Sequence, residues 1–482
     1  MEKEEEILNF INNEITNIPI TINNKIMRKN KKFEYREEFY EIKGYIDDFL
    51  EGENNNRYIL LPGLRGVGKT TIIYQLYNYL LKDKNIKQNQ ILYLSCEKLN
   101  ERFEFKILDV IDTFLKYHHN STLRTLNKEI FLFIDESQYD YNWALSGKII
   151  YDESNKIFMI FTGSSALNLE YNADSARRLL KRNITPLNYK QYLKLKYNYD
   201  SGNITDSLIK LIFNGDSSDA IKSENKINSS LYNITGYNDN QWDNYLMYGG
   251  FPISFYEKDY MNIIERLDAV IKKVIVSDMH KIGNISVDSQ VNSIRLLNYL
   301  ALQKPGEISQ NNIANYLNTS SSTIKNILDI LEKTHLLFHC EAYGSSSKRS
   351  KKSWKYYFAT PSLRHALVSN LGNTMKDPMA YKEILLENLV ATNFFNLTNK
   401  RNINFNMFYD DNQKRNVDFV IQQEFNQPIP IEVGIGKKDN KQVKNAIKRY
   451  KSEYGIIISN KTTKIKKEDN IISIPIKTFS FL

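Results

Sequence analysis

Short apolar runs alternate with segments of helical periodicity along the first part of the chain. Four largely apolar runs have the length of buried strands, and they lie at 58–61, 90–94, 130–134 and 157–161. The apolar residues after the first run recur at helical spacing; they are Ile72, Ile73, Leu76, Tyr77 and Leu80. The residues before Tyr58 are expected to form short helices. Residues 33–50 are expected to pack beside the loop that follows the first apolar run. Buried strands alternating with helices predict an α/β fold with a parallel sheet.

A glycine-rich turn joins the first predicted strand to the first of these helices. Its spacing, from Gly63 through Gly68 to Lys69, is the full phosphate-loop pattern. Glycines let the backbone N–H groups turn inward around a polyphosphate, and the helix presents its positive end. Lys69 is expected to neutralise the β- and γ-phosphates, and the Thr70 hydroxyl to hold Mg²⁺. The predicted nucleotide-binding residues are Gly63, Leu64, Arg65, Gly66, Val67, Gly68, Lys69, Thr70 and Thr71.

Two carboxylates end the third apolar run. Asp135 should reach the C-terminal edge of a sheet and hold Mg²⁺ through water, while Glu136 should polarise the attacking water. The fourth run ends at Thr162, followed by Gly163, Ser164 and Ser165. If its strand lies between the first strand and the Asp135 strand, Thr162 or Ser164 reaches the γ-phosphate or the water. The alternative is an ordinary strand-ending turn.

A basic stretch containing Arg177, Arg178 and Arg182 follows. One of the three, with Arg177 as the first candidate, is expected to act as an arginine finger on the nucleotide of a neighbouring subunit in a homo-oligomer. The alternative is a basic helix face exposed to solvent.

Composition excludes some classes of protein but does not identify one. Hydrophobic residues make up 41% of the 482 residues and aromatic residues 12%, which excludes a mainly disordered chain. The 65 basic and 56 acidic residues leave a net charge of +9, which favours an anionic partner only weakly. Cys96 and Cys340 lie far apart, so neither a disulfide scaffold nor a zinc module is expected. The acidic N-terminus does not resemble a signal peptide, and no apolar run is long enough to span a membrane, so we expect a soluble, cytoplasmic protein.

Taken together, the motifs resemble AAA+ ATPases of the archaeal and bacterial type that carry a C-terminal nuclease-like domain. Besides the phosphate loop, the resemblance rests on the segments 135–138, 162–165, 186–187, 248–252, 355–358 and 386–389. It implies an α/β chain with an AAA+ P-loop core at 1–186, a helical lid at 187–290, a winged helix at 291–360 and a PD-(D/E)xK-like domain at 361–482. It also implies ATP and Mg²⁺ as cofactors, ATP hydrolysis, and work on or near DNA.

Two segments between the core and the tail have a composition or spacing of their own. Residues 214–240 are rich in Ser, Asn, Asp and Gly without periodicity, which predicts an exposed, mobile insertion. Residues 309–340 have the spacing of a helix-turn-helix, whose second helix can enter a major groove. Its outward residues include Lys325 but also Asp329 and Glu332, so a purely structural winged helix is an equal alternative. The basic cluster 348–352 is the better candidate for non-specific contact with DNA phosphates.

The tail carries an incomplete nuclease pattern. Asp418 and Glu432 are expected on two strands of a hairpin, at one edge, with Glu387 from a preceding helix close by. In the PD-(D/E)xK nucleases that this resembles, acids bind Mg²⁺ and a lysine two positions after the second acid stabilises developing charge. That position is Gly434 here, and Lys437 or Lys438 would have to fold back to replace the lysine. We expect a scaffold that does not cleave; an ATP-licensed nuclease and a slow nucleotide-gated switch are the alternative functions.

Overall fold

The computed structural model describes residues 2–102, 104–163, 177–279, 286–372, 377–401, 403–412, 416–435 and 440–482. The chain divides into two compact units, Met1–Thr185 and Pro186–Leu482. Among the described residues, no helix is both long enough and apolar enough to cross a membrane.

The first unit alternates helices and strands. Its helices are α1 (Glu2–Ile26), α2 (Glu37–Leu50), α3 (Lys69–Lys82), α4 (Cys96–Asn100), α5 (Ile107–His119) and α6 (Trp143–Glu153). Its strands are β1 (Met27–Arg28), β2 (Lys31–Lys32), β3 (Tyr58–Pro62), β4 (Ile91–Ser95), β5 (Ile130–Asp135), β6 (Ile157–Gly163) and β7 (Leu180–Lys181).

The main sheet of the first unit has the order β4-β5-β6-β3-β7, and its neighbouring strands are parallel. Every residue of β3, β4, β5 and β6 is buried, as expected of a parallel sheet covered on both faces. The predicted α/β class with a parallel sheet core is confirmed. Strand β6 lies between β3 and β5, so the carboxyl ends of these three strands meet at one edge of the sheet.

The prediction of short helices before Tyr58 was wrong. Helix α1 is 25 residues long, and Ile7, Phe10 and Ile11 on one of its faces pack into the core of the first unit. Pro19 lies inside this helix, where proline normally disfavours helical structure. Burial of the apolar face outweighs that local preference. An antiparallel hairpin of β1 and β2 follows.

The second unit has many more helices, and most of them precede its sheet. The helices are α7 (Tyr189–Tyr197), α8 (Ile204–Asn214), α9 (Ser218–Leu231), α10 (Asn240–Tyr248), α11 (Tyr260–Lys273), α12 (Val287–Leu302), α13 (Gln310–Leu317), α14 (Ser321–Lys333), α15 (Ser346–Arg349), α16 (Pro361–Asn370), α17 (Pro378–Arg401), α18 (Asn440–Tyr450) and α19 (Ile476–Phe479). The strands are β8 (Leu337–Ala342), β9 (Lys355–Phe358), β10 (Asn406–Tyr409), β11 (Phe419–Gln422), β12 (Ile429–Gly434), β13 (Gly455–Ser459), β14 (Lys466–Glu468) and β15 (Ile471–Pro475).

These eight strands form one mixed sheet in the order β14-β15-β13-β12-β11-β10-β8-β9. Helices α7 to α10 share an apolar core with this sheet, which joins Leu208 and Trp242 to Ile458 and Phe481. The Trp242 indole also donates to Ser480 Oγ at 3.0 Å. Much of the predicted lid therefore packs with the C-terminal sheet, and its role over the nucleotide stays a prediction.

The predicted mobile insertion at 214–240 contains helix α9 instead. Ala220, Ile227 and Leu231 are buried in the shared core, and Glu224 is buried at the same helical spacing. Glu224 accepts hydrogen bonds from the backbone N–H of Ile465 at 2.7 Å and from Thr478 Oγ1 at 2.6 Å. The helical pattern is hidden in the sequence because one of its four inward positions is a glutamate.

Helices α12 to α15 and a strand pair fill the segment predicted as a winged helix. Asn318, which follows the end of α13, has φ 53°, and the Ser320 hydroxyl caps α14 by accepting from the N–H of Thr323. Strands β8 and β9 then pair antiparallel. The C-terminus of α12 is capped by the buried guanidinium of Arg364, which donates to the carbonyls of Leu300 and Ala301 at 3.0 and 3.1 Å.

Candidate functional site

The loop between β3 and α3 has the backbone that its glycine pattern predicts. Gly66 and Gly68 have φ values of 79° and 105°, which residues with a Cβ rarely adopt. At Gly63 a Cβ would lie 2.2 Å from the carbonyl oxygen of Ile184, so only glycine fits there. The loop runs straight into α3, which begins at Lys69. The backbone N–H groups at the start of that helix therefore adjoin the loop.

The Lys69 side chain lies against this loop and is buried. Its Nζ donates to the carbonyl oxygens of Gly63 at 2.7 Å and Leu64 at 3.0 Å. A buried ammonium group needs hydrogen-bond acceptors or negative charge around it. A polyphosphate in the loop would offer charged acceptors, which bind an ammonium group more strongly than carbonyls do.

Three hydroxyl groups converge on Asp135 at the end of β5. Thr70 Oγ1 and the Tyr93 hydroxyl donate to its Oδ2 at 2.9 and 3.0 Å. Thr162 Oγ1 donates to the other oxygen, Oδ1, at 2.5 Å. The donors come from α3, β4 and β6, so the strand order assembles this cluster. Thr70, Asp135 and Thr162 are thereby brought together.

Burial raises the pKa of the Asp135 carboxyl, and the charge of Glu136 raises it further. The hydroxyls of Thr162, Thr70 and Tyr93 act in the opposite direction, because hydrogen bonds to a carboxylate favour its charged form. Buried carboxylates with shifted pKa values are concentrated at functional sites. Carboxylate and hydroxyl oxygens are also ligands that suit Mg²⁺, so Thr70 and Asp135 form a donor set that fits this ion.

Glu136 has a left-handed backbone with φ 55°, which is uncommon for a residue with a long side chain. Its N–H donates to Thr162 Oγ1 at 3.1 Å, so Thr162 connects the two adjacent acids. Its carboxylate accepts a hydrogen bond from the Gln138 amide and lies 3.7 Å from the Arg65 guanidinium. Arg65 belongs to the phosphate loop, which therefore contacts Glu136 directly.

A buried ion pair that the sequence pattern does not single out supports the loop. The Arg36 guanidinium donates to the carbonyls of Val67 at 2.7 Å and Thr185 at 3.0 Å, and Glu38 accepts from Arg36 Nε at 3.0 Å. The prediction that 33–50 packs beside the loop is confirmed by the Val67 contact. A charged pair at the start of an amphipathic helix is too common to be recognised as special.

The three candidate arginines differ in their surroundings. Arg178 Nε donates to Asp152 Oδ1 at 2.6 Å, and Arg182 pairs with Glu41 and donates to the Tyr45 hydroxyl at 2.7 Å. Arg177 is exposed. Its role as a finger on another subunit stays a prediction, and Ser164 and Ser165 lie outside the described residues.

The tail acids occupy the hairpin that the sequence predicts. Continuing the antiparallel register of β11 and β12 by one residue places Asp418 opposite Glu432. Asp418 Oδ2 accepts from the N–H of Val433 at 2.7 Å. Glu387, on α17, accepts from the Tyr357 hydroxyl at 2.9 Å. Both Asp418 and Glu387 therefore accept hydrogen bonds from groups of the protein itself.

The charges around Glu387 are only partly balanced. Burial and the charge of Asp418 raise the pKa of Glu387 to about 7, against the opposing charges of Lys355 and Arg364. Gly434 ends strand β12, and Lys437 and Lys438 lie outside the described residues. Within the described ranges, no group of three or more His, Cys, Asp or Glu side chains is arranged to hold a metal ion.

Three family models match the chain: an AAA domain over 55–193, the domain of unknown function DUF8612 over 239–376 and the domain of unknown function DUF4143 over 382–479. The uncharacterized protein MJ1637 of Methanocaldococcus jannaschii is 31% identical over 478 residues, covering 99% of this chain and 94% of the relative. The chain belongs to the MJ1637 family. The part of the chain that matches an AAA domain includes the phosphate loop. The uncharacterized protein MJ1544 of the same organism is 26% identical, over 73% of this chain and 69% of that relative.

Two solved structures are more distant. The Walker-type ATPase PABY2304 of Pyrococcus abyssi is 14% identical with a TM-score of 0.43, covering 70% of this chain and 97% of that one. The ORC1 protein of Aeropyrum pernix, solved in complex with DNA, is 12% identical with a TM-score of 0.30, covering 70% and 93%. The assignment to the MJ1637 family does not depend on either likeness.

In this MJ1637-family protein, Lys69, Thr70, Asp135, Glu136 and Thr162 lie at the P-loop edge of the first sheet. Sequence reasoning missed Tyr93, because an aromatic residue in a buried strand usually belongs to the core. It also missed the contact between Arg65 and Glu136, because that contact joins segments about seventy residues apart.

Proposed function

We propose that the protein binds ATP with Mg²⁺ in its first unit and hydrolyses it. One observation carries the proposal: the hydroxyls of Thr70 and Thr162 donate to one buried carboxylate, Asp135, beside a complete phosphate loop. A buried carboxylate needs hydrogen-bond donors for its own stability. It does not need a phosphate loop next to them, and that loop is what favours phosphoryl chemistry.

Each residue then has a distinct role. The loop amides and Lys69 bind the phosphates and neutralise their charge. Thr70 and Asp135 would hold Mg²⁺, which when bound offsets the negative charge of the β- and γ-phosphates. Glu136 orients and polarises the attacking water, with Arg65 holding its carboxylate near the loop.

The test is the release of inorganic phosphate from ATP by the full chain, with Mg²⁺ and with a chelator. The same samples are measured with and without duplex DNA, and the mass of the ATP-bound complex is determined. We expect turnover that requires Mg²⁺. Tight ATP binding without turnover would favour the nucleotide-gated switch, and absence of ATP binding would overturn the proposal.

We also propose that the second unit contacts DNA without sequence preference, with 291–360 acting as a winged helix and 361–482 as a scaffold that does not cleave. The observation that favours DNA contact is a cleft of about 790 Å³ beside α14. Its lining includes Lys325, Arg349, Lys351, Lys352 and Trp354.

Acidic side chains offset part of the positive charge of this surface. Lys348 and Lys352 both pair with Asp411, at 2.6 and 3.3 Å, and Arg349 lies 3.5 Å from Glu341. The charge offered to phosphates is therefore smaller than the 348–352 cluster suggests. We expect weak, salt-sensitive affinity for duplex DNA that falls when the four basic residues of that cluster are changed to glutamine. Affinity that ignored both salt and these substitutions would contradict the proposed contact.

A further inference from the structure

A second basic surface lies on the first unit, at the hairpin of β1 and β2. We call residues 27–32 the basic hairpin. Its two strands pair Met27 with Lys32 and Arg28 with Lys31, and its turn is formed by Lys29 and Asn30, with φ values of 49° and 62°. Its basic residues are exposed. No acidic residue occurs in the sequence between Glu14 and Glu34.

The basic hairpin brings like charges together, although Lys32 Nζ also lies 5.0 Å from the centre of the Tyr35 ring. Arg28 and Lys31 are directly opposite each other, and like charges at such cross-strand positions are destabilising. A two-stranded hairpin is also marginal by itself in water. A surface that concentrates positive charge is better explained by a polyanionic partner than by solubility, for which both signs of charge are normally mixed.

The base of the basic hairpin is attached to the phosphate-loop helix. The Gln75 amide, on α3, donates to the carbonyls of Phe33 and Glu34 at 3.4 and 3.5 Å. Two residues further on, Arg36 donates to the carbonyl of Val67 inside the phosphate loop at 2.7 Å. The hairpin and the loop are thus connected through a few residues and two sets of hydrogen bonds.

We propose that the basic hairpin contacts the phosphate backbone of double-stranded nucleic acid, and that its attachment to α3 makes this contact depend on the nucleotide in the phosphate loop. A two-stranded ribbon has the width that the major groove of a duplex admits. Arg28 and Lys31 lie on one face of the ribbon and Lys32 on the other, so both faces offer a cation to the phosphates of a duplex. A membrane surface is disfavoured because the turn is Lys29-Asn30, which offers no aromatic or large aliphatic residue to the lipid.

The two parts of this inference rest on different premises. The contact with nucleic acid requires no hydrolysis and stands apart from the proposed ATPase activity. The dependence on nucleotide rests on the proposed binding of ATP. Measurements without nucleotide therefore test the first part alone, and the effect of a non-hydrolysable ATP analogue tests the second.

The experiment uses the full chain and measures its affinity for a short DNA duplex of mixed sequence at several salt concentrations. The test variant changes Arg28, Lys29, Lys31 and Lys32 to glutamine. A matched variant changes four exposed lysines elsewhere on the same unit to glutamine; they are Lys82, Lys87, Lys106 and Lys128. Both variants remove four positive charges, so they differ only in where the charge is removed.

We expect the hairpin variant to bind the duplex roughly tenfold or more weakly than wild type near physiological salt. Its plot of log affinity against log salt should be shallower by up to about 3.6, which is about 0.9 for each phosphate that the variant no longer neutralises. The matched variant should show less than half of that change in slope. The ATP analogue should change the affinity of wild type and leave that of the hairpin variant unchanged.

Three results would overturn the inference. Equal reductions of affinity in the two variants would mean that net charge alone attracts the DNA. Unchanged duplex binding, together with weaker binding to anionic phospholipid vesicles, would assign the hairpin to a membrane surface. An ATP analogue that binds but changes the duplex affinity of wild type and of the hairpin variant equally would refute the dependence of the hairpin contact on nucleotide. An analogue that does not bind at all would instead refute the proposed nucleotide site.

Discussion

Each unit of this protein brings carboxylates together at its sheet, but the two groups of acids have different partners. In the first unit, Asp135 accepts hydrogen bonds from the hydroxyls of Thr70 and Thr162, and the Lys69 side chain lies against the adjoining loop. In the second unit, Asp418 accepts from a backbone N–H and Glu387 from a tyrosine hydroxyl. A group of acids at a sheet is therefore not enough to define a reactive site.

The difference lies in the groups that surround the acids. The first group adjoins a loop of N–H donors and a lysine, which together can offset the charge of a polyphosphate. At the corresponding place in the tail, the position two residues after Glu432 is a glycine, so no side chain projects there. A developing negative charge at the second group would lack the lysine that the nuclease pattern puts at this position, and such a loss usually costs orders of magnitude in rate.

Removing the cation of the first group should have the largest effect. In Lys69→Ala we expect ATP affinity to fall by roughly a hundredfold or more, and turnover with it, because the phosphates no longer have a charge-assisted hydrogen bond from the lysine. Binding of a fluorescent ATP analogue and thermal unfolding check this. Lys82→Ala, at the exposed end of the same helix, is the control and should behave as wild type. Normal ATP binding by folded Lys69→Ala would refute the assignment.

Glu136→Gln should separate binding from chemistry. The substitution preserves the shape of the side chain but removes the carboxylate that polarises water, so turnover should fall by about 10²- to 10⁴-fold. ATP affinity should stay within a few-fold of wild type. Single-turnover phosphate release measures the first quantity and equilibrium binding the second. If turnover stayed near that of wild type, another residue would have to orient the water.

Thr162→Val tests whether the bridge between Asp135 and Glu136 matters. Valine keeps the volume but removes the donor to Asp135 and the acceptor for the Glu136 N–H, so we expect turnover to fall by about a hundredfold. The control is Thr113→Val, because the Thr113 hydroxyl bonds within its own helix, to the Asp109 carbonyl. Equal effects of the two substitutions on turnover would reduce Thr162 to a structural residue.

The ionisation of the tail acid Glu387 should change the free energy of unfolding rather than catalysis. The pKa of Glu387 is raised from 4.5 to about 7, so the folded state binds its proton more tightly than the unfolded state does. The contribution of Glu387 to the free energy of unfolding is therefore complete below pH 4.5 and is lost as the pH rises toward 7. The loss is at most about 3 kcal/mol. Chemical denaturation of wild type and Glu387→Gln across this range measures it. We expect a shallower pH dependence in the variant, and parallel curves would contradict the raised pKa.

The smallest effect is expected for cleavage of nucleic acid. Wild type and Asp418→Ala should both leave linear and supercoiled DNA intact with Mg²⁺ or Mn²⁺, because the expected lysine is replaced by Gly434. The sharpest comparison is Gly434→Lys, which restores a cation two positions after Glu432. DNA cleavage by this variant alone would show that the missing lysine is the whole reason why wild type does not cleave. DNA cleavage by wild type that is lost in Asp418→Ala would show that the tail acids, like those of the first unit, are catalytic.

Much of the first unit could be predicted because its signals are local. The spacing from Gly63 to Thr70 and the acids after an apolar run each lie within a few residues, and backbone geometry follows from such spacing. Helix α9 could not be predicted, because its inward Glu224 is compatible with a core only when Thr478 and Ile465 satisfy it. Those partners lie more than two hundred residues away in sequence.

By itself, the sequence determined the α/β class, the phosphate loop and the acids at the end of β5, because apolar periodicity and glycine placement act over short distances. Only the tertiary structure decided that β6 lies between β3 and β5, and hence that Thr162 contacts Asp135. It also decided that Arg36 supports the loop and that α7 to α10 share a core with the C-terminal sheet. Strand order and buried polar contacts depend on burying apolar surface and satisfying polar groups across the whole fold, which no local pattern encodes.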